Sequence, residues 1–230
     1  FELIYFARPD SLMDNQLVHS VRQELGAQLA REHPVEADLV IGIPDSSTAA
    51  AVGYARESGI PFSEGLVKNR YVGRTFIEPE QRMRDLGVRQ KFNPLTEVIA
   101  GQRIVVVDDS IVRGTTTPHV VGLLRKAGAK EIHMRVCAPP IMHPCFMGVD
   151  MASRQELIAA NQSVEEIREM IEADSLGFLA VKGLLKVVGG RDGGVCDACF
   201  TGNYPVPVQL ELTKLVLEQS STAELEILSD

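Results

Sequence analysis

The sequence has no tryptophan, and aromatic residues make up only 5% of it. It is therefore poorly provided with stacking platforms for bases or single-stranded nucleic acid. Cysteine is scarce as well. Four in 230 residues are too few for a disulfide framework and read as reduced cytosolic thiols or as ligands. Long apolar runs are missing. Each is broken by Gly, Pro or charge well before the roughly 18 residues that a spanning helix needs, so no membrane span is expected. Positive charge is outnumbered, with 23 Lys and Arg against 31 Asp and Glu, a net charge of −8 and a pI near 5.2. Such a chain is a poor general binder of nucleic acid or anionic lipid. It opens with Phe1 and has no basic n-region, which reads as the absence of a signal peptide and as a piece of something longer. What is present is an ordinary globular balance, 45% hydrophobic and 23% charged. That excludes a disordered chain and suits one large domain or two small ones.

The first two-thirds alternate strand-like and helix-like patterns. Glu2 to Phe6 is strand-like. Leu17, Val18, Val21, Leu25 and Leu29 recur at helical spacing until His33-Pro34. Leu39 to Ile43 is a continuous apolar strand, followed by Pro44 to Ser47 and an Ala-rich helix over 48–55. Arg103 to Val107 is a second buried strand, and the helix carrying Val120, Val121, Leu123 and Leu124 stops near Gly128. Ile132, Met134 and Val136 alternate with polar residues, which predicts a strand with one wetter face. Ser163-Val164-Glu165-Glu166 forms a capping box. The Gly-rich stretch 189–194 reads as a flexible loop, and the acidic tail as helical from Gln209. No internal repeat or interdomain linker is evident. Repeated strand, helix, strand implies an α/β fold: a mostly parallel central sheet with helices on both faces and an irregular Cys-containing C-terminal part. In such sheets ligands sit beyond the carboxyl ends of the strands, which singles out the loops at 44–47 and 108–116.

The stretch from Arg103 to Thr117 carries the most chemistry. A buried strand ends in two adjacent carboxylates, Asp108 and Asp109. A short loop follows, Ser110-Ile111-Val112-Arg113-Gly114-Thr115-Thr116, and opens a helix. Backbone N–H groups and the positive end of the helix favour a phosphate monoester, and the hydroxyls add donors. The carboxylates suit sugar hydroxyls or a Mg²⁺ ion between sugar and phosphates. The pattern describes a site for a phosphorylated sugar. It is neither a Walker loop nor a Rossmann fingerprint. The plainer alternative is an Asp pair capping a helix, and Ser46 in the other loop reads equally as an N-cap. From Lys68 to Lys91 there are seven basic and three acidic residues, a net +4 within a chain of −8. The stretch points to a polyanion nearby, with a solvated surface helix as the alternative. Cys145, Cys196 and Cys199 make three thiols, one short of an ordinary cluster or zinc site. Cys137 reads as a buried small residue, His143 as a loop residue.

The stretch Val107-Asp108-Asp109-Ser110-Ile111-Val112-Arg113-Gly114-Thr115-Thr116 resembles the motif that binds 5-phosphoribosyl 1-pyrophosphate (PRPP) in type I phosphoribosyltransferases. Its wording is similar to that of the amidophosphoribosyltransferases. The resemblance continues in Ile43 to Ser47, Lys68 to Ile77, His143 to Phe146 and Cys199 to Gly202, in order along nearly the whole chain. It implies a single phosphoribosyltransferase domain over 1–230, with a core to about residue 190 and a Cys loop and tail beyond. The N-terminal glutaminase domain of that family is absent from the sequence. It implies PRPP binding by Asp45, Ser46, Ser47, Lys68, Arg70, Asp108, Asp109, Ser110, Val112, Arg113, Gly114, Thr115 and Thr116. Catalytic roles fall to Asp108, Asp109, Arg70 and Tyr71, and Mg²⁺ binding to Ser46, Asp108 and Asp109. Residues 68–91 would close over PRPP as a basic lid. Cys145, Cys196 and Cys199 match three ligands of a [4Fe–4S] cluster whose fourth ligand lies upstream of Phe1. The implied reaction makes 5-phosphoribosylamine from PRPP and ammonia, the first step of purine synthesis, in the cytoplasm. The implied enzyme is a homo-oligomer with purine nucleotides as inhibitors. A salvage enzyme taking a free base, and a non-catalytic PRPP or nucleotide sensor, are the alternatives.

Overall fold

The computed structural model describes residues 1–69, 91–149, 153–189 and 194–208. The chain begins with one π-helical turn, Glu2–Phe6, where a strand was expected. The reason lies in a distant residue. Buried Arg22 gathers the carbonyls of Leu3, Tyr5 and Ala7 at 3.1, 3.1 and 2.8 Å. In an extended strand the carbonyls of residues 3, 5 and 7 would be spread over about 13 Å, too far to converge on one guanidinium. A small hairpin, β1 (Leu12–Met13) with β2 (Gln16–Leu17), leads into helix α1, Val18–Glu32. Then come β3 (Leu39–Gly42), α2 (Thr48–Ser58) and β4 (Leu66–Lys68). Beyond residue 90 follow β5 (Phe92–Pro94), α3 (Thr96–Ile99), β6 (Arg103–Asp108), α4 (Thr117–Lys126) and β7 (Glu131–Val136). The last described elements are α5 (Ile158–Asn161), α6 (Val164–Met170), β8 (Ser175–Phe178), α7 (Val181–Val188) and α8 (Ala198–Thr201).

Strands β3, β6, β7 and β8 form one parallel sheet in that order. Alternate residues of β6 face opposite layers, as the two-residue strand period requires. Ile104 and Val106 pack with Val120, Val121 and Leu124 of α4, whereas Val105 and Val107 pack with α1, α2 and α7. Helices therefore cover both faces, and the central strand has no polar side. α1 and α2 press together closely. A Cβ added at Gly26 would stand 1.8 Å from the Ala50 carbonyl oxygen, and one at Gly53 would stand 1.8 Å from that of Gln23.

Strand β7 departs from its expected wet face: His133 and Arg135 are both buried. Arg135 is satisfied without a carboxylate, by the carbonyls of His33 and Met134 and the Ser175 hydroxyl, at 2.8 to 3.0 Å. The alternation was real, but its polar members are inward and hydrogen-bonded. The Ser163–Glu166 capping box is formed as predicted. The Gly-rich stretch lies mostly outside the described residues, and the tail from Gln209 entirely so.

Candidate active site

Because β3 and β6 are paired in parallel, with Gly42 opposite Val107, the loops that leave them open at the same sheet end. This brings 44–47 against 108–110, residues 61 to 63 apart in sequence. The Pro44–Asp45 peptide is cis. The Ser47 hydroxyl donates to Asp108 Oδ1 at 3.2 Å, and the Ser46 hydroxyl donates to Asp109 Oδ2. Ser47 stands at the N-cap position of α2, but its side chain caps no backbone N–H. The plain capping role is thus not what these hydroxyls do; both turn toward the carboxylates.

The two acids are held tightly. Asp108 Oδ1 also accepts the Asp109 backbone N–H at 2.8 Å, and Asp109 Oδ1 accepts the Ser110 hydroxyl at 2.7 Å. Asp109 is 8% exposed. Burial pushes the Asp108 carboxyl well above the usual carboxylate range, and the charge of Asp109 beside it pushes in the same direction. Burial also raises Asp109, against the pull of its two serine hydroxyls and of Arg22. Two desolvated acids of one sign favour a cation between or beside them. One or two carboxylates completed by substrate oxygens are an ordinary Mg²⁺ donor set, so this pair fits the ion. Among the described residues no group of three or more His, Cys, Asp or Glu could hold a metal by itself.

The loop that follows the acid pair runs from Ser110 to Thr116, the N-cap of α4. Gly114 has φ +70°, and a Cβ there would meet Ile158 Cδ1 at 2.5 Å, so glycine is required both by conformation and by space. The first turn of α4 contributes N–H groups that have no partner inside the helix, except at Pro118, which has none. Arg113 is drawn to Glu156 Oε1 at 3.2 Å.

The basic stretch starts and ends at one place. β4 and β5 are antiparallel, with Lys68 opposite Phe92, and the Asn69 N–H donates to the Lys91 carbonyl at 2.8 Å. Lys68 Nζ reaches Asp45 Oδ2 at 2.7 Å. Burial lowers the Lys91 ammonium, as does the nearby charge of Lys68, while Asp108 opposes both. Arg70 and Tyr71, and the rest of 70–90, lie outside the described residues.

Cys145, Cys196 and Cys199 line one cavity of about 390 Å³ together with Phe1 and Phe200. Burial raises the Cys199 thiol to about 11, and the neighbouring Cys145 and Cys196 thiols push the same way. The fold therefore gathers the three thiols beside the first residue. They do not converge into a metal-holding set, so the described residues do not fit a four-thiolate cluster. Cys137 is buried behind the Asp pair, and burial raises its thiol strongly. Sequence reading missed Arg22 and Glu156. Ser153-x-x-Glu156 has the capping-box spacing and could have been found; nothing local marks Arg22.

The phosphoribosyl transferase domain family matches residues 10–141. The chain is 54% identical over 220 residues to an amidophosphoribosyltransferase of Synechocystis sp., covering 95% of this chain and 44% of that protein. The same-named protein of Bacillus subtilis is 56% identical, covering 90% and 44%. A solved structure of the B. subtilis glutamine phosphoribosylpyrophosphate amidotransferase, complexed with ADP and GMP, superposes with a TM-score of 0.84 at 55% identity. The match covers 92% of this chain and 48% of that one. The chain thus spans less than half the length of the curated relatives it matches. With a parallel sheet, an acid pair at the end of its central strand and a glycine-bearing hydroxyl loop, the chain belongs to the phosphoribosyltransferase family, in its amidophosphoribosyltransferase branch.

Proposed function

We propose that this chain carries the phosphoribosyl-transfer site, converting PRPP and ammonia into 5-phosphoribosylamine and pyrophosphate. The observation that carries the reading is the adjacent Asp108–Asp109 pair, the second buried and the first partly so, flanked on one sheet end by two loops rich in hydroxyls and N–H groups. Residues 110–116 would take the 5-phosphate, and Asp45, Ser46 and Ser47 the pyrophosphate. Asp108 and Asp109 would hold the ribose hydroxyls and, with Ser46, a Mg²⁺ ion. That ion would supply charge neutralisation to the departing pyrophosphate. Lys68, with Arg70 and Tyr71 beyond it, would complete the pyrophosphate side.

As the C1–pyrophosphate bond breaks, positive charge develops at C1 and the ring oxygen. The buried carboxylates stand ready to stabilise it, in a setting where charge is weakly screened. Ammonia attacks with its own lone pair, so no general base is needed, and the rate comes from positioning and electrostatics. For residues 1–230 the nitrogen donor would be ammonia. Residues 1–230 act as one domain in the cytoplasm, where the free thiols are stable. A homo-oligomer is in keeping with the family. Purine nucleotides would compete, since a mononucleotide carries the same ribose 5-phosphate; the B. subtilis relative was solved with two of them.

The test is turnover of PRPP with ammonium and Mg²⁺, read as pyrophosphate release. A free purine base as the preferred acceptor would favour a salvage enzyme, and PRPP binding without turnover would favour a sensor. Either result overturns the reading.

A further inference from the structure

The loop proposed to hold the 5-phosphate is braced from outside by the segment 153–161. The Ile158 N–H donates to the Val112 carbonyl at 3.0 Å. Ile158 Cδ1 lies 2.5 Å, and Met170 Cε 3.1 Å, from where a Cβ on Gly114 would stand, so both side chains pack onto the bare glycine. Glu156 grips the loop by charge, with Oε1 at 3.2 Å from Arg113. Its other oxygen, Oε2, accepts both the Ser153 N–H at 3.1 Å and the Ser153 hydroxyl at 3.2 Å. One carboxylate thus closes a capping box with one oxygen and anchors the loop's arginine with the other. Asn161 secures the same turn, donating to the carbonyls of Arg154, Gln155 and Leu157.

Both members of the Arg113–Glu156 pair are about half exposed, 46% and 49% by side chain. Exposed pairs contribute little to folding stability. A contact that adds little stability but fixes a guanidinium beside a phosphate cradle acts on orientation. We propose that Glu156 is a positioning residue for the 5-phosphate, holding Arg113 in the geometry in which the loop reads a phosphorylated sugar. The inference rests on the reading of residues 110–116 as that cradle.

The test measures binding of ribose 5-phosphate and of pyrophosphate to the chain by calorimetry. Glu156→Gln retains a side chain that can close a capping box but removes the charge on Arg113. It should weaken ribose 5-phosphate by roughly five- to tenfold, the scale of one orienting contact, and leave pyrophosphate and the thermal midpoint unchanged. Ser153→Ala, which spares the ion pair, should change ribose 5-phosphate binding less than about twofold. In an Arg113→Ala background, Glu156→Gln should have no further effect. Unchanged or tighter ribose 5-phosphate binding in Glu156→Gln overturns the proposal, as does an equal loss for pyrophosphate. If the unsubstituted chain binds pyrophosphate but not ribose 5-phosphate, the reading of the cradle itself fails.

Discussion

Replacing Asp108 by Asn should stabilise the metal-free protein while crippling its chemistry. Asp108 and Asp109 are adjacent; Asp109 is buried, Asp108 partly so, and both are raised in pKa. Above that range the folded protein holds two like charges out of water. An Asn at 108 still offers Oδ1 to the Asp109 N–H and the Ser47 hydroxyl, bonds now at 2.8 and 3.2 Å. Removing one of two buried like charges relieves on the order of 1–3 kcal/mol. For a chain of this size that is a rise of roughly 2–10 °C in thermal midpoint. The sign with pH follows from proton uptake. A raised folded pKa means that the folded state binds more protons than the unfolded one, so wild-type stability falls as pH rises. The loss begins near the ordinary carboxylate value of 3.8 and is complete above the raised value. The variant should therefore match the wild type near that lower limit and gain most at pH 8. Mg²⁺ should stabilise the wild type more than the variant. Phosphoribosyl transfer should fall at least tenfold, about 1.4 kcal/mol of transition-state stabilisation. Melting curves without metal at two pH values, and pyrophosphate release with metal, check both halves. A variant that melts below the wild type at pH 8, or that turns over normally, refutes the reasoning.

At fixed total ammonium, turnover should rise with pH as NH₃ replaces NH₄⁺, which has no lone pair. A flat pH profile would contradict this. Gly114→Ala should cost about 1–3 kcal/mol in strain and weaken ribose 5-phosphate binding, because φ is +70° and Ile158 occupies the Cβ position; isothermal titration and melting check it. Gly26→Ala should destabilise by about 3 kcal/mol or more, since its Cβ would overlap the Ala50 carbonyl, and denaturant unfolding gives the value. Lys68→Met should leave the melting midpoint within about 2 °C, because its pair with Asp45 is partly exposed. It should still raise the KM for PRPP, which steady-state kinetics would show.

Much of this protein is local and was therefore legible in the sequence. The apolar runs 39–43 and 103–107 mark β3 and β6, because only a strand buried on both faces needs such continuity. The helix from Val18 ends where His33-Pro34 must end it, and the order of Asp108, Asp109 and the Gly114 loop at the end of β6 is the pattern on which the proposed site rests. Other features were decided only by distant contacts. Glu2 to Phe6 has strand composition, yet Arg22 takes its carbonyls and winds it into a turn. His133 and Arg135 have the pattern of a wet strand face, yet both are buried: carbonyls and the Ser175 hydroxyl satisfy Arg135, while His133 meets the Ser175 hydroxyl through Nδ1 and its Nε2 has no hydrogen bond among the described residues. Ser46 and Ser47 look like helix caps, and their turn toward the acids follows from the parallel pairing of β3 with β6. The hold of Glu156 on Arg113 spans 43 positions and leaves no periodic trace. Periodicity and capping record what a residue does to its near neighbours along the chain. Which hydroxyl meets which carboxylate depends on strand order, and that is settled only when the sheet assembles.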